Sequence, residues 1–289
     1  MVKKRMAAFL AGLCVLCLLA GAALGEESAL NLLLIGTDTY EEDAAGRSDA
    51  MLLMRIEPKS KEVRLVSFLR DLYVPIPGCG STRLNAAYYF GGEELLKTAL
   101  SKNFGVSVDR TVKVNFSLLA DVIDWMGGVE LEVSPQELTA LNDVLRSYNR
   151  KMGLGVTHGL LENSGLQRLD GKQALSYSRI RKLDSDFKRV GRQQAVLQAM
   201  GRQMKELSFF QLARLATLCL GKVRTDLTLA DINRLLPLLG GEEEIRLSAA
   251  CVPFEGTYTD ETVNGMQVLK PDLSRNRRKL QSFLEISGQ

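Results

Sequence analysis

The stretch YSRIRKLDSDFKRVGRQQ, residues 177–194, carries six basic side chains and two aspartates in eighteen positions. Charge runs usually form a solvated face, and a salt-bridged surface helix is the plain alternative. The spacing points to chemistry instead. Arg179 and Arg181 are two apart, which in a strand sets both on one face. From Asp186 the intervals become helical: Asp186, Arg189 and Gln193 share a side with Arg192 beside them, while Phe187, Val190, Gln194 and Leu197 occupy another. Asp184 or Ser185 stands at the N-cap position. Arginines this dense repel one another unless an anion neutralises them, and arginine suits bidentate phosphate contact.

Three more polar groups stand at the ends of apolar runs. NLLLIGT (31–37) reads as a buried strand with Asp38 just past its end, followed by a polar loop. Arg47 and Asp49 precede the second run, AMLLMRI (50–56). The third, VRLVSFL (63–69), closes on Arg70 and Asp71. A hairpin around the turn at 57–62 puts Asp49 and Arg70 at one end of the sheet, and a first strand parallel to the third delivers Asp38 there too. Ligand sites in α/β sheets lie outside strand ends. The plain alternative is that these are ordinary strand-flanking polar residues.

The remaining elements must hold these groups. Residues 83–105 read as a turn and an amphipathic helix stopped by Gly105, and 111–116 as a strand. Residues 117–128 read as a helix with Ser117 as N-cap and a Gly-Gly stop; Leu118, Val122, Trp125 and Met126 share its core face. Residues 129–133 form a strand, 134–165 a polar and partly helical excursion left unassigned, and 173–181 end as a strand. Residues 206–250 read as helices, and 269–286 as a final amphipathic helix. The alternation predicts an α/β fold, and no Pro-, Gly- or Ser-rich linker divides it.

The chain has 289 residues, 46 % hydrophobic and 25 % charged, with a formal charge of +3. Lys3, Lys4 and Arg5 account for that excess, so the remainder is neutral and a nucleic-acid partner is excluded; any anion site is local. The same three cations precede an uncharged, mostly apolar stretch from Ala7 to Leu24. Small residues at Ala23 and Gly25 fit cleavage before Glu26. Residues 1–25 are therefore an export signal or a retained membrane anchor, cleavage being the reading adopted, with 26–289 exported as one domain. Cys79, Cys219 and Cys251 leave an odd count: one disulfide with a free thiol, or three thiols. The cysteine spacing fits no zinc site, and His158 is the only histidine, so zinc hydrolysis and Ser-His-Asp catalysis are disfavoured.

The blocks NLLLIGTD, GRSDAMLLMRIEPKSKEVRLVSFLRD, RLNAAYYFGGEELL, WMGGVELEV, GLQRLDGKQALSYSRIRK and SDFKRVGRQQAVL run in the order of the LytR-CpsA-Psr family of cell-envelope phosphotransferases, which residues 31–207 resemble. The resemblance implies a single-domain α/β fold: a mixed central β-sheet flanked by helices on both faces, three-layer α-β-α, with an apolar pocket for a polyprenyl tail. It implies transfer of an anionic glycopolymer from a polyprenyl-diphosphate carrier to peptidoglycan at the outer face of the cytoplasmic membrane, with lipid pyrophosphatase chemistry as a side activity. Carried over by motif, Asp38 and Asp49 resemble the Mg²⁺-associated aspartates, Mn²⁺ being the alternative ion. Arg47, Arg70, Arg83, Arg179, Arg181, Arg189, Arg192 and Gln193 resemble the diphosphate-binding set, with Asp186 in the Ser-Asp pair. Asp49 is the preferred proton acceptor and Asp71 its rival. Leu69 departs from the family's usual proline before Arg-Asp. A non-catalytic polyprenyl-phosphate binder would use the same arginines, and a transcriptional attenuator is disfavoured by the export segment. Oligomeric state is not legible.

Overall fold

The structure, a computed structural model, describes residues 29–37, 48–180, 183, 186–204, 211, 214–215, 223–235 and 246–285. The export segment, Asp38, Arg47, Arg181, Asp184, Ser185 and Cys219 lie outside the described residues, as do the side chains of Asp49 and Asp186. No helix among the described residues is long and apolar enough to cross a membrane.

The strands are β1 Leu30–Thr37, β2 Ser48–Glu57, β3 Glu62–Phe68, β4 Tyr73–Ile76, β5 Gly80–Arg83, β6 Arg110–Asn115, β7 Val129–Val133, β8 Gly165–Leu169, β9 Arg224–Thr225, β10 Arg246–Val252, β11 Tyr258–Val263 and β12 Met266–Pro271. The helices are α1 Asn85–Phe104, α2 Phe116–Trp125, α3 Pro135–Lys151, α4 Gly171–Ser178, α5 Asp186–Met204, α6 Leu229–Leu235 and α7 Leu273–Leu284. They divide between two compact units, residues 116–222 and residues 20–115 with 223–289.

The second unit holds the mixed sheet, ordered β10-β3-β2-β1-β6-β9. β2 runs antiparallel to both β1 and β3, so β1 and β3 point the same way, as expected. Met51, Leu52, Leu53 and Met54 are buried in succession, the signature of a strand covered on both faces. α1 packs on β2 and β4, and its Phe104 ring meets Phe68 of β3 at 5.2 Å and 48°. The helix breaks at Gly91 and Gly92 and stops at Gly105, which has φ 69°. β11 and β12 form a hairpin around Asn264-Gly265, both with positive φ. That is the primed turn an Asn-Gly pair favours, a signal the sequence reading passed over.

The unit of residues 116–222 packs α4 against α2, α3 and α5, with the β7–β8 hairpin beside α5. β7 alternates buried and exposed along VELEV, the period of a half-buried strand. α2 buries Leu118, Val122 and Met126.

Three expectations need correction. Residues 171–178 are helical, because Asp170 and Gln173 form a reciprocal capping box: Asp170 accepts from the Gln173 N–H while Gln173 accepts from the Asp170 N–H. Residues 246–252 are not helical but the edge strand β10, parallel to β3. Its sequence RLSAACV has little intrinsic strand preference, so tertiary pairing decides its state. Ser117 lies inside α2 instead of capping it, since the helix begins at Phe116. Of the two alternatives for the cysteines, Cys79 and Cys251 are not bonded to each other, and Cys219 lies outside the described residues.

Candidate functional site

The three strand ends meet as the connectivity requires. Thr37 of β1 pairs with Ser48 of β2, and Met51 of β2 pairs with Phe68 of β3. Asp38 and Arg47, the next residues at two of these ends, lie outside the described residues. The register holds a further feature. Gly36 pairs with Ala50 and Thr37 with Ser48, so Asp49 is an extra residue on β2, a β-bulge. Bulges break the alternation of a strand and re-aim side chains, often beside active sites. A Cβ at Gly36 would stand 3.1 Å from the Ala50 Cβ, so this edge admits only a glycine without displacement.

Past β3 the chain is pinned residue by residue. The Leu69 N–H donates to the Val252 carbonyl at 2.9 Å, Asn85 N–H to the Arg70 carbonyl at 3.2 Å, Leu269 N–H to the Asp71 carbonyl at 3.0 Å and Leu84 N–H to the Leu72 carbonyl at 2.7 Å. That framework sets Asp71 between two guanidiniums. Arg70 Nε donates to Asp71 Oδ2 at 3.1 Å, and Arg83 Nε lies 3.2 Å from Oδ1. Arg83 Nη2 also reaches the Gln267 carbonyl at 2.5 Å. Two guanidiniums thus face one carboxylate, an arrangement that fixes their orientation. With each oxygen facing a cation, Asp71 is placed to orient arginines.

In the other unit, α5 carries the second half of the opening basic stretch. Its arginines are not a solvated face: Arg189 is 3 % exposed and Arg192 4 %. They lie on the buried side of α5 with Val190, Val196, Ala199 and Met200. Buried charge is costly unless partnered, and Arg192 has its partners. Its Nε donates to Glu137 Oε1 at 3.1 Å and its Nη1 to the Ile180 carbonyl at 3.2 Å. Tyr177 donates its hydroxyl to the same Glu137 oxygen at 3.3 Å. Glu137 also completes a capping box at the start of α3, accepting from the Ser134 N–H at 3.1 Å and hydroxyl at 2.9 Å. Burial pushes the Glu137 carboxyl up, but the hydrogen bonds from Ser134 and Arg192 outweigh it and hold its pKa below the usual glutamate value. Sequence reasoning missed Glu137. The signal was the capping pattern Ser134-Pro135-Gln136-Glu137 in a segment left unassigned.

The other predicted residues fall as follows. Arg179 is the C-cap of α4, its N–H donating to the Ser176 and Tyr177 carbonyls, so it does not share a strand face with Arg181. Gln193 is half-buried on α5, and Asp186 is the first residue of that helix. No group of three or more histidine, cysteine, aspartate or glutamate residues gathers among the described residues.

The fold is a mixed α/β sheet whose strand ends bring Asp49, Arg70, Asp71 and Arg83 to one end. The profile of the LytR_cpsA_psr family matches residues 22–282, and the chain belongs to this family. It is similar to the polyisoprenyl-teichoic acid–peptidoglycan teichoic acid transferase TagU of Oceanobacillus iheyensis, 33 % identical over 83 % of this chain and 71 % of that one. Among solved structures it resembles TagT bound to LIIa-WTA, at 26 % identity and TM-score 0.69 over 93 % of this chain and 95 % of that one. It also resembles the LytR-CPS2A-psr family protein YwtF (TagT) with bound octaprenyl pyrophosphate lipid, at 25 % identity and TM-score 0.64 over the same shares.

Proposed function

We propose that this chain is a cell-envelope transferase that moves an anionic glycopolymer from a polyprenyl-diphosphate carrier to a peptidoglycan hydroxyl, at the outer face of the cytoplasmic membrane. The observation that carries it is the sheet end where the bulged Asp49 stands with the Arg70–Asp71–Arg83 cluster past β3. The name of TagU and the lipid diphosphate held by YwtF (TagT) support the same reading.

Phosphoryl transfer asks for positioning and charge neutralisation more than for a nucleophilic side chain. Arg70 and Arg83 hold the diphosphate, and Asp71 sets their guanidiniums. The acceptor hydroxyl oxygen bonds to the glycopolymer-side phosphorus as the bridging P–O bond breaks. Polyprenyl phosphate leaves, and Asp49 takes the hydroxyl proton. The two-arginine clamp on Asp71 argues for Asp49 over Asp71 in that role. By family motif alone, Arg179, Arg189 and Gln193 are further diphosphate-binding candidates, while Arg192 is tied to Glu137. Asp38 and Asp49 stand one residue from paired strand ends, a donor pair that fits a hard cation needing only one or two protein carboxylates. They would hold Mg²⁺, with Mn²⁺ as the alternative, which when bound supplies neutralisation of charge on the diphosphate.

The test is turnover of a lipid-diphosphate sugar by wild type and Asp49→Asn, each with Mg²⁺ and with chelator. Wild type with Mg²⁺ alone should release polyprenyl phosphate. Equal finite rates in all four conditions would overturn the roles of Asp49 and the metal, and no release in any condition would leave a protein that binds the lipid without turning it over.

A further inference from the structure

Where α3 ends, the chain enters Met152-Gly153-Leu154-Gly155-Val156, and all three apolar side chains are exposed: Met152 by 48 %, Leu154 by 37 % and Val156 by 41 %. Scattered exposed apolar residues are ordinary, but three in five positions at one loop tip form a patch. The loop is built to present them. Asn149 is fully buried and donates from Nδ2 to the Val156 carbonyl at 3.3 Å and the His158 carbonyl at 2.8 Å. The Leu154 N–H returns to the Asn149 carbonyl at 2.8 Å, and His158 N–H to the Gly155 carbonyl at 2.9 Å. A buried amide thus spends its donors on holding a loop whose apolar side chains face water.

The chain on either side of the tip is basic. Between Val144 and Leu161 stand Arg146, Arg150 and Lys151 and no acid. Asp143 pairs with Arg146 at 2.9 Å, and Arg150 and Lys151 are exposed where α3 ends. His158 lines a cleft with Asp124, Asp170, Lys172 and Gln173. Both of those acids are engaged, Asp124 by the Gly171 N–H at 2.7 Å and Asp170 by the Gln173 N–H at 2.8 Å.

We infer that this loop is a membrane contact, with Met152, Leu154 and Val156 entering the interface of an anionic bilayer and Arg150 and Lys151 meeting its headgroups. Apolar residues backed by cations are the pattern of interfacial binding, and each basic residue adds attraction to anionic lipid. A protein partner fits less well, since interface cores are depleted in lysine. The eighteen-residue apolar segment behind three cations at the N-terminus directs export across a membrane, so the loop meets a lipid surface whether that segment is cleaved or retained.

The test uses the full chain reconstituted in vesicles of phosphatidylcholine with or without phosphatidylglycerol, with bromine on the acyl chains as a contact quencher. Leu154→Trp reports the tip. Thr139→Trp, exposed on α3 about 18 Å back along the helix, reports a position away from it, and the signal of the native Trp125 is subtracted. Quenching of Leu154→Trp should exceed that of Thr139→Trp by at least about threefold in anionic vesicles, and fall by half or more when Arg150→Glu and Lys151→Glu are added. Equal quenching at the two positions, or quenching indifferent to phosphatidylglycerol and to the two basic residues, overturns the inference. The readout is lipid contact and not turnover, so it can fail while the transferase reading stands.

Discussion

Glu137→Gln is the sharpest probe of the buried arginine side of α5. The change keeps the size of the side chain and removes the Glu137 charge from the Arg192 guanidinium, which is 4 % exposed. Removing one partner of a buried pair costs about 3–5 kcal/mol. The Glu137 side chain retains 20 % exposure, and glutamine can still accept one hydrogen bond, so the low end, about 3 kcal/mol, applies. For a chain this long each kcal/mol shifts Tm by about 2–4 °C, so the variant should melt about 6–12 °C below wild type at pH 7. The pH dependence follows from the lowered Glu137 pKa. The unfolded state binds the proton more readily, so the stabilisation is complete above the ordinary glutamate value of 4.5 and is lost as pH falls through the folded value. The gap in Tm should therefore be constant from pH 8 to about pH 5 and close below that. Ser134→Ala removes the cap hydroxyl but keeps the charge pair, and should cost only about 1 kcal/mol. Scanning calorimetry from pH 3 to pH 8 makes the measurement. A gap under about 2 °C at pH 7, or one that does not narrow as pH falls below the ordinary glutamate value of 4.5, would refute the assignment of Glu137 as a counter-ion of the buried Arg192.

Asp231 accepts from Arg110 Nε at 2.6 Å and from the Thr228 hydroxyl at 2.6 Å. Burial pushes its carboxyl up, but Thr228 and Arg110 prevail and hold it below the ordinary aspartate value of 3.8. Asp231→Asn should lower Tm by several degrees at pH 7, with the difference fading below about pH 4 in the same melting series. Gly171→Ala should destabilise by about 1–3 kcal/mol, read as a lower urea midpoint, because its Cβ would fall 2.2 Å from the Ala120 carbonyl oxygen where α4 packs on α2. Arg189→Ala should weaken binding of a polyprenyl-diphosphate analogue by at least about tenfold, the loss of one charge-assisted bond, measured by calorimetric titration. Unchanged affinity with an intact fold would return Arg189 to a purely structural role.

Much of this protein lies in local pattern. The runs at 31–37, 50–56 and 63–69 declare buried strands, the turn between the last two makes a hairpin, and the convergence of their ends follows from chain direction alone. Gly105 and the Gly127-Gly128 stop are equally local, because a left-handed residue ends a helix wherever it stands. Two local signals were present but unread: the Asp170–Gln173 box, which makes 171–178 a helix, and Asn264-Gly265, which turns a hairpin. What no local pattern carries is pairing at a distance. β10 is a strand because β3 offers it an edge. The bulge at Asp49 exists only in the register between β1 and β2, and a one-residue shift leaves the hydropathy of either strand unchanged. Asp71 meets Arg83 across twelve residues, and Arg192 meets Glu137 across fifty-five. A charged side chain reads the same in sequence whether water or a carboxylate solvates it. Hydropathy places apolar residues inside, but only tertiary contact decides which charges follow them, since burial of a charge depends on a partner whose position along the chain is arbitrary.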